Sequence, residues 1–355
     1  MRLDFDDDQL ELVAAVGAVL ARECTPRLVR AVFEGEASWA PLYGTMSSLG
    51  WQSLAVPERR GGLGLGFVEV GIVVEALGRH VAPGPYVPTT TQLLPALLAL
   101  DEARTEELVA GVLAGVVTGT LVDGDVTATV GDGGGLRLDG EVAHVLGAGD
   151  VTHLAVVADA STTLAVVAAG AAGIRIEAEE ALDPSRALGR VILDGVDIDP
   201  PWATDCAASV ARIREEAACG LALEALGTAQ AAFDMTLDHA RDRVQFDRPI
   251  GSFQAIKHKL ADMYVALARA RALCTYAALT IAADDPRRAL AVSMAKAGVG
   301  DCQRLVAKES LQIHGGVGYT WEHPLHLHLR RLKTDDALCG TAAEHRGRVA
   351  DILGL

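Results

Sequence analysis

The sequence predicts a mainly α-helical protein with a small β-domain in its middle. From Asp6 to about Gly115, apolar residues recur every three or four positions, as on the buried face of helices. The next stretch consists of short β-branched runs separated by glycine and Asp-Gly pairs, which is typical of strands. Long helical patterns then return. We therefore expect a helical N-terminal domain over 1–117, a β-domain over 118–203 and a bundle of antiparallel helices over 204–355.

The first helical region contains a glycine cluster, Gly61 to Gly66, that superficially resembles a phosphate-binding loop. The cluster lacks the GxGxxG order, follows no predicted strand and is not followed by GK[ST]. It therefore predicts a turn and the start of a helix.

In the β-region, the segment LRLDGEV predicts a hairpin turn at Asp139-Gly140. The segments VTHLAVVAD and TTLAVVAAG predict two buried strands joined by a tight connection, and VILDGVDI predicts the last strand. Pro200 and Pro201 mark the expected boundary with the helical bundle.

Composition restricts the class of partner. The 355 residues carry a formal net charge of -16, which makes nucleic acid an unsuitable partner and requires any anionic ligand to be held by local cations. The six cysteines show no CxxC spacing, which indicates reduced thiols. Apolar runs are interrupted well before the roughly 20 residues of a membrane span, and the acidic start lacks a secretory signal. We therefore expect a cytoplasmic protein with no membrane span.

A short loop connects two long helical patterns. The first pattern runs from about Arg212 to between Val244 and Asp247, and the second begins at about Ser252. Pro249 and Gly251 interrupt helical hydrogen bonding between them.

Arg243 and Phe246 lie three residues apart near the end of the first helix, so both are expected to point toward one spot. A guanidinium beside an aromatic ring suits a pyrophosphate attached to a flat base. The alternative is an ordinary surface arginine and a core phenylalanine.

Two segments resemble motifs of the acyl-CoA dehydrogenases. RDRVQFDRPIGSFQAIKHKLADM is similar to the helix-loop-helix of that family, and LQIHGGVGYTWEHPLHLHLRRLK is similar to its Q-x-x-G-G segment and the helix that follows. The resemblance extends over the whole chain. It implies a helical N-domain, a β-barrel or sandwich in the middle and a C-terminal four-helix bundle. It also implies removal of an α-proton from an acyl-CoA thioester by a carboxylate base, with transfer of the β-hydride to FAD.

The resemblance implies that this chain supplies one part of an FAD site. In the family, these residues contact an FAD whose flavin ring lies on the neighbouring subunit. Asp247 replaces a glycine that is usual in the motif, and its carboxylate is expected to repel phosphate unless an arginine neutralises it. The implied cofactor-binding residues are Arg243, Phe246, Gln254, Gln312, Gly315 and Gly316.

The part of the family's site that holds the flavin ring is not matched. Alignment of EVAHVLGAGDVTHLAVVA with the family's flavin-contacting strand places His144 at a tryptophan position and Leu146 at a threonine position. A leucine cannot supply the hydroxyl that tunes the ring.

The carboxylate base is also absent from its usual position. In the family's Y-E-G-T motif, Cys339 replaces the glutamate, and a thiol is a poor substitute for a carboxylate at neutral pH. Some relatives carry the base on the first long bundle helix. The matching position here is Ala217, with Glu216 one residue away, so Glu216 is a weak candidate and is otherwise a solvated glutamate near a helix start.

A group of four histidines near the C-terminus suggests metal binding. Pro324 interrupts the group, and the last two members lie on different helix faces, so we predict no metal site. The four are His314, His323, His326 and His328.

These observations predict the non-catalytic subunit of a heteromeric acyl-CoA dehydrogenase. Such assemblies are known among actinobacterial enzymes that shorten steroid side chains, and they pair two unlike subunits, often as a dimer of heterodimers with one FAD per pair. The acyl-CoA substrate, whose acyl group the sequence does not specify, would bind on the partner. Two alternatives remain: a homomeric acyl-CoA dehydrogenase with Glu215 or Glu216 as a displaced base, and a non-redox scaffold protein that retains the fold.

Overall fold

The computed structural model describes residues 4–130, 135–198 and 202–355 of the chain. In those ranges the α-helices are α1 Asp7–Glu23, α2 Pro26–Phe33, α3 Ala40–Ser48, α4 Phe67–Arg79, α5 Tyr86–Pro88, α6 Leu94–Ala99, α7 Glu102–Leu113, α8 Ala207–Asp242, α9 Gln254–Ala282, α10 Arg288–His314, α11 Leu325–Asp335 and α12 Ala342–Ile352. The strands are β1 Gly119–Asp123, β2 Val126–Val130, β3 Leu136–Val145, β4 His153–Ala158, β5 Thr163–Ala168, β6 Ile174–Ala178, β7 Gly189–Ile198, β8 Trp202–Ala203, β9 Val244–Gln245 and β10 Arg248–Pro249.

The chain forms two compact units that do not follow the sequence order. The first unit is helical and comprises Met1–Glu36, Phe67–Ala82 and Ala218–Leu355. The second comprises Ala37–Gly66 and Pro83–Ala217 and contains strands β1 to β8. A mainly helical fold with a small central β-region is therefore confirmed.

The β-region of the second unit is built from two four-stranded sheets. Their strand orders are β1-β4-β5-β8 and β2-β3-β7-β6, and β1 pairs with β4 in parallel. Alternate residues of β4 face in opposite directions. Leu154 and Val156 pack in the core between the sheets, whereas Ala155 and Val157 pack with the helical residues Leu93 and Leu97. The sheet is thus covered on both faces.

The prediction of two buried strands with a tight connection is confirmed by β4 and β5. They are antiparallel, with Ala158 opposite Thr163, and a single 3-10 turn, Asp159–Ser161, joins them. The predicted strand VILDGVDI lies in β7. Pro200 and Pro201, the expected boundary, lie outside the described residues.

The predicted hairpin turn at Asp139-Gly140 is wrong. Both residues lie inside the ten-residue strand β3, where the pairing with β7 shifts register between Leu138 and Gly140. A β-carbon on Gly140 would lie 2.4 Å from the carbonyl oxygen of Asp125. The glycine therefore permits a bulge with close approach of a neighbouring backbone, which sequence alone does not distinguish from a turn.

Helix α9 packs along α10 in the first unit. By length and composition α9 is apolar enough to cross a bilayer, and well under half of its most apolar stretch is buried. Core helices pass the same test, so this is weak evidence for a span. The expectation of no membrane span is retained. The exposed residues of α9 include Tyr264 and Val265.

Candidate functional site

The loop after α8 is a tight β-hairpin. The helix ends at Asp242, and β9 then pairs with β10, with Gln245 opposite Arg248. The two residues at the tip, Phe246 and Asp247, have φ values of 52° and 61°. The expectation that Arg243 and Phe246 share one helix face is therefore wrong. The helix ends at Asp242, and the extended strand β9 separates it from Phe246, which lies in the left-handed turn of the hairpin.

The hairpin explains the replacement of the family glycine by Asp247. A φ of 61° is left-handed, which glycine adopts without cost and aspartate tolerates better than most residues. The glycine of the family motif is thus readily explained by backbone geometry. The expected electrostatic effect of Asp247 on phosphate remains a prediction.

The hairpin folds back on the end of α8 and the start of α9. The backbone N–H of Ile250 donates to the carbonyl of Arg243 at 2.8 Å. The rings of Phe246 and Phe253 meet edge to face with centroids 6.1 Å apart, and the Arg248 guanidinium lies 4.1 Å from the Phe253 centroid. Phe246 is nevertheless 86% exposed. Its ring contacts Phe253 and remains open to a ligand or another subunit.

The start of α9 is suited to an anion. Phe253 occupies the N-cap position without a side-chain hydrogen bond, and the first turn contains no acidic residue. The positive end of the helix dipole and the first backbone N–H groups are then left uncapped by side chains. Gln254 is the first residue of this helix and is exposed.

The second predicted segment lies at the end of α10. Gln312 is exposed in the last turn, and Gly315 leaves the helix with φ 60° and ψ -141°. A β-carbon added to Gly315 or Gly316 would meet nothing within 4 Å. The backbone of this turn is therefore openly accessible, as close approach to a cofactor requires.

A pair of stacked histidines brings the two segments together. The imidazole of His239, in the last turn of α8, stacks on that of His314 with centroids 4.3 Å apart. The backbone N–H of Arg243 donates to the carbonyl of His239 at 2.9 Å, and His314 directly precedes Gly315. His239 was not among the site residues predicted from the sequence. The signal was its position one helical turn before Arg243.

All six predicted cofactor-binding residues are exposed on the first unit. The hairpin links three of them, Arg243, Phe246 and Gln254, and the histidine contact connects that group with the α10 end. Cations, open backbone and an exposed ring fit the pyrophosphate and base portions of a dinucleotide. We refer to Arg243, Phe246, Gln254, Gln312, Gly315 and Gly316 as the half-site.

The residues aligned with the family's flavin pocket do not fit the flavin ring. The His144 side chain is 77% exposed, and both its Nδ1 and its backbone N–H lie within hydrogen-bond distance of Glu179, at 2.8 and 2.9 Å. Leu146 is buried beside Pro88 and Gly147. An exposed imidazole and a buried aliphatic chain offer no hydroxyl to a flavin.

The usual position of the catalytic glutamate is part of a turn. Cys339 has φ 53° and is exposed, and its carbonyl lies 2.8 Å from Nε2 of His345. The following carboxylate, Glu344, accepts hydrogen bonds from the backbone and hydroxyl of Thr341 in a capping box, and these bonds lower its pKa. This carboxylate therefore serves as a helix cap.

Glu216 is buried rather than solvated. Its Oε1 accepts a hydrogen bond from Nε of Arg212 at 2.9 Å, one turn earlier in α8. The expectation of a solvated helix-start glutamate is therefore wrong. The guanidinium of Arg212 therefore occupies one oxygen of this carboxylate. Glu215 is half-buried, and Ala217 is 1% exposed.

The four C-terminal histidines make ring and backbone contacts. His314 meets His323 edge to face at 4.8 Å, His326 stacks on Trp321 at 4.5 Å, and His328 lies within hydrogen-bond distance of the carbonyls of Pro324 and Arg79. In the described ranges, no group of three or more His, Cys, Asp or Glu side chains is arranged to hold a metal ion.

Comparison with known families gives two matches on this chain. Residues 6–120 match the acyl-CoA dehydrogenase N-terminal domain, and residues 212–354 match the acyl-CoA dehydrogenase C-terminal domain. The second match contains the whole half-site.

Individual relatives agree with these matches. The chain is 30% identical to acyl-CoA dehydrogenase IpdE2 of Mycolicibacterium smegmatis, over 94% of this chain and 95% of that protein. Among solved structures it is similar to a chain of the ChsE4-ChsE5 complex from Mycobacterium tuberculosis. The TM-score is 0.90 and the identity 27%, and the match covers 100% of this chain and 99% of that chain. It is also similar to a structure described as a Tcur3481-Tcur3483 steroid ACAD G363A variant, with a TM-score of 0.88, 28% identity and 98% coverage of both chains. The chain belongs to the acyl-CoA dehydrogenase family, whose members are oxidoreductases.

Proposed function

We propose that this chain is the non-catalytic subunit of a heteromeric, FAD-dependent acyl-CoA dehydrogenase of the cytoplasm. A second subunit of the same fold would hold the flavin ring, the acyl-CoA thioester and the carboxylate base. The half-site of this chain would complete the FAD site across the interface. FAD supplies the acceptor for the β-hydride of the acyl group.

One observation carries this proposal: the half-site is present and exposed, whereas the flavin-ring and base positions are occupied by unsuitable residues. Arg243 and the open turn at Gly315 face away from their own unit's core. Leu146 is buried, and Cys339 lies in a turn. A chain that bound and reduced its own flavin would need both groups of residues.

The exposed apolar residues of the first unit provide a surface for the second subunit. Tyr264 and Val265 on α9 are 63% and 67% exposed, and Tyr319, close to the half-site in sequence, is 75% exposed. Large apolar side chains exposed next to one another, as Tyr264 and Val265 are in sequence, suit an interface. Similarity to the two-protein ChsE4-ChsE5 structure supports an unlike partner. We propose that the two unlike subunits assemble as a dimer of heterodimers. Similarity to a structure described as a steroid ACAD supports a steroid-derived acyl group.

Replacing Arg243 by alanine is expected to weaken FAD binding by the complex. Loss of charge-assisted hydrogen bonds to phosphate costs about 1.5–3 kcal/mol, which corresponds to a roughly 10–100-fold higher dissociation constant. The measurement is the FAD content of the purified complex as free FAD is removed by dilution.

Arg241→Ala is the matched control for this test. Arg241 is also exposed near the end of α8, and its guanidinium pairs with Asp238 at 3.3 Å. The control removes the same charge but should retain FAD. Equal FAD content in Arg243→Ala and wild-type complexes would favour the scaffold alternative.

Replacing Glu216 by glutamine is expected to leave turnover of the complex nearly unchanged. A general base contributes roughly 10²–10⁴-fold to the rate, so a loss of that size would instead identify Glu216 as the base of a homomeric enzyme. Turnover is measured with an acyl-CoA substrate and an artificial electron acceptor. Glu215→Gln tests the neighbouring candidate base, Glu215, in the same assay.

A further inference from the structure

Three histidines from separate segments are packed ring against ring beside the half-site. His239 belongs to α8, His314 to α10 and His323 to the segment before α11. His314 lies in the centre, with centroid distances of 4.3 Å to His239 and 4.8 Å to His323. We call these three residues the histidine stack.

The hydrogen bond of His314 fixes where its proton lies. Its Nδ1 is 2.9 Å from the carbonyl oxygen of Ser310, which can only accept, so Nδ1 carries the hydrogen. In the neutral ring, Nε2 is then unprotonated. That atom is buried and has no hydrogen-bond partner among the described residues. A second proton would place an N–H and a positive charge where nothing described accepts them.

The surroundings of the stack also oppose protonation. Burial lowers the pKa of His314. The pKa of His239 is lowered by burial and then by His314, His323 and Arg243, while Asp242 acts in the opposite direction. Burial is the main cause that lowers the pKa of His323, and the nearby His314 and His326 lower it further. The stack is therefore uncharged at neutral pH and gains mutually repelling charges as the pH falls.

The histidine stack is connected to both parts of the half-site, the hairpin part that begins at Arg243 and the open turn at Gly315. Movement of the rings would therefore move both parts. The carbonyl of His239 accepts the N–H of Arg243, and His314 is bonded directly to Gly315. A β-carbon on Gly318 would lie 3.0 Å from Cβ of His314, so the turn after α10 packs closely on this side chain. Separation of the rings would displace Arg243 relative to the open turn.

We infer that the uncharged histidine stack positions the two parts of the half-site, so that protonation separates them and releases FAD. His239, His314 and His323 are positioning residues in this view, and the inference rests on the proposed function. The ligand is the same pyrophosphate-containing dinucleotide as in the proposed function. The inference adds that its retention depends on pH.

The test compares FAD retention by the purified complex across about pH 5 to pH 8. Wild type is expected to lose FAD as the pH falls. His239→Phe keeps a ring in the stack but cannot be protonated, so its midpoint should move down by about half a pH unit or more. His239→Lys places a charge there at neutral pH and should lose FAD under conditions in which wild type retains it. Ala21→Lys, at an exposed position of α1, adds the same charge elsewhere and should behave as wild type.

A second readout separates failure of this inference from failure of the proposed function. Hydrogen exchange of the backbone over 315–319, corrected for intrinsic rates, should increase on acidification in wild type but not in His239→Phe. If Arg243→Ala leaves FAD content unchanged, the half-site proposal fails, and this exchange still tests the stack. If His239→Phe does not fold, His323→Gln replaces it and removes an outer ring.

The outcomes are distinct. A lowered midpoint in His239→Phe together with FAD loss in His239→Lys supports the inference. A pH-independent wild type overturns it. So do wild-type retention profiles in both His239 variants, or unchanged hydrogen exchange over 315–319 on acidification.

Discussion

Arg331→Met is expected to lower the free energy of unfolding by about 3–5 kcal/mol, the usual cost of removing one partner of a buried ion pair. Nη1 of Arg331 lies 2.7 Å from Oε1 of Glu224, and the two side chains are 0% and 1% exposed. The guanidinium also donates to the carbonyl of Ala82. The substitution leaves the Glu224 carboxylate buried without this arginine. Chemical denaturation of the complex measures the loss.

Two further variants identify the cause of that loss. Arg59→Ala removes an exposed arginine that lies 3.3 Å from Glu102, and should cost about 0–1 kcal/mol. Combining Arg331→Met with Glu224→Leu replaces both charges by apolar groups and should recover much of the lost stability. A double variant as unstable as the single one would contradict an electrostatic origin. A loss below about 1 kcal/mol in Arg331→Met would contradict the buried pair itself.

Gly227→Ala is expected to destabilise the helical unit by about 3 kcal/mol, the upper end of the usual range for overpacking. A β-carbon on Gly227 would lie 1.9 Å from the carbonyl oxygen of Glu75 in α4. The contact is reciprocal, since a β-carbon on Gly78 would lie 2.0 Å from the carbonyl oxygen of Glu224. Both obstacles are backbone atoms of packed helices, so a local side-chain movement cannot relieve them.

Gly17→Ala is the control for this crossing of α4 and α8. Gly17 lies inside α1, and an added β-carbon would meet nothing within 4 Å. Its replacement should stabilise the protein by about 0.5–1 kcal/mol because alanine is the better helix residue. Thermal unfolding of the two variants should shift in opposite directions. Equal shifts would show that close approach at Gly227 is not the determining factor.

Much of the fold was predictable because buried faces leave a periodic signal. The helical regions followed from that periodicity, whereas the paired strands β4 and β5 followed from two continuous apolar runs with a tight connection. Asp139-Gly140 was not predictable in the same way, since one dipeptide serves both a hairpin turn and a bulge. The approach of Asp125 to Gly140 decides between them, and Asp125 lies in the bend that precedes another strand, β2.

The half-site was identified by resemblance, but its geometry was not readable from spacing. Phe246 follows the helical pattern in sequence, whereas the left-handed backbone at Phe246 and Asp247 places it in a hairpin. Burial of Glu216 depends on Arg212, and contact of His239 with His314 depends on where two long helices end. Glu224 was not among the residues singled out from the sequence, although a lone carboxylate in the apolar stretch LALEAL is a signal for a buried partner.

The visible absorption spectrum of the purified chain, with and without its co-expressed partner subunit, tests the central claim most directly. The proposed division of the FAD site predicts a colourless, inactive chain by itself and a yellow, active complex. The complex should also lose FAD on Arg243→Ala substitution. A full complement of FAD and acyl-CoA turnover in this chain alone would contradict the account.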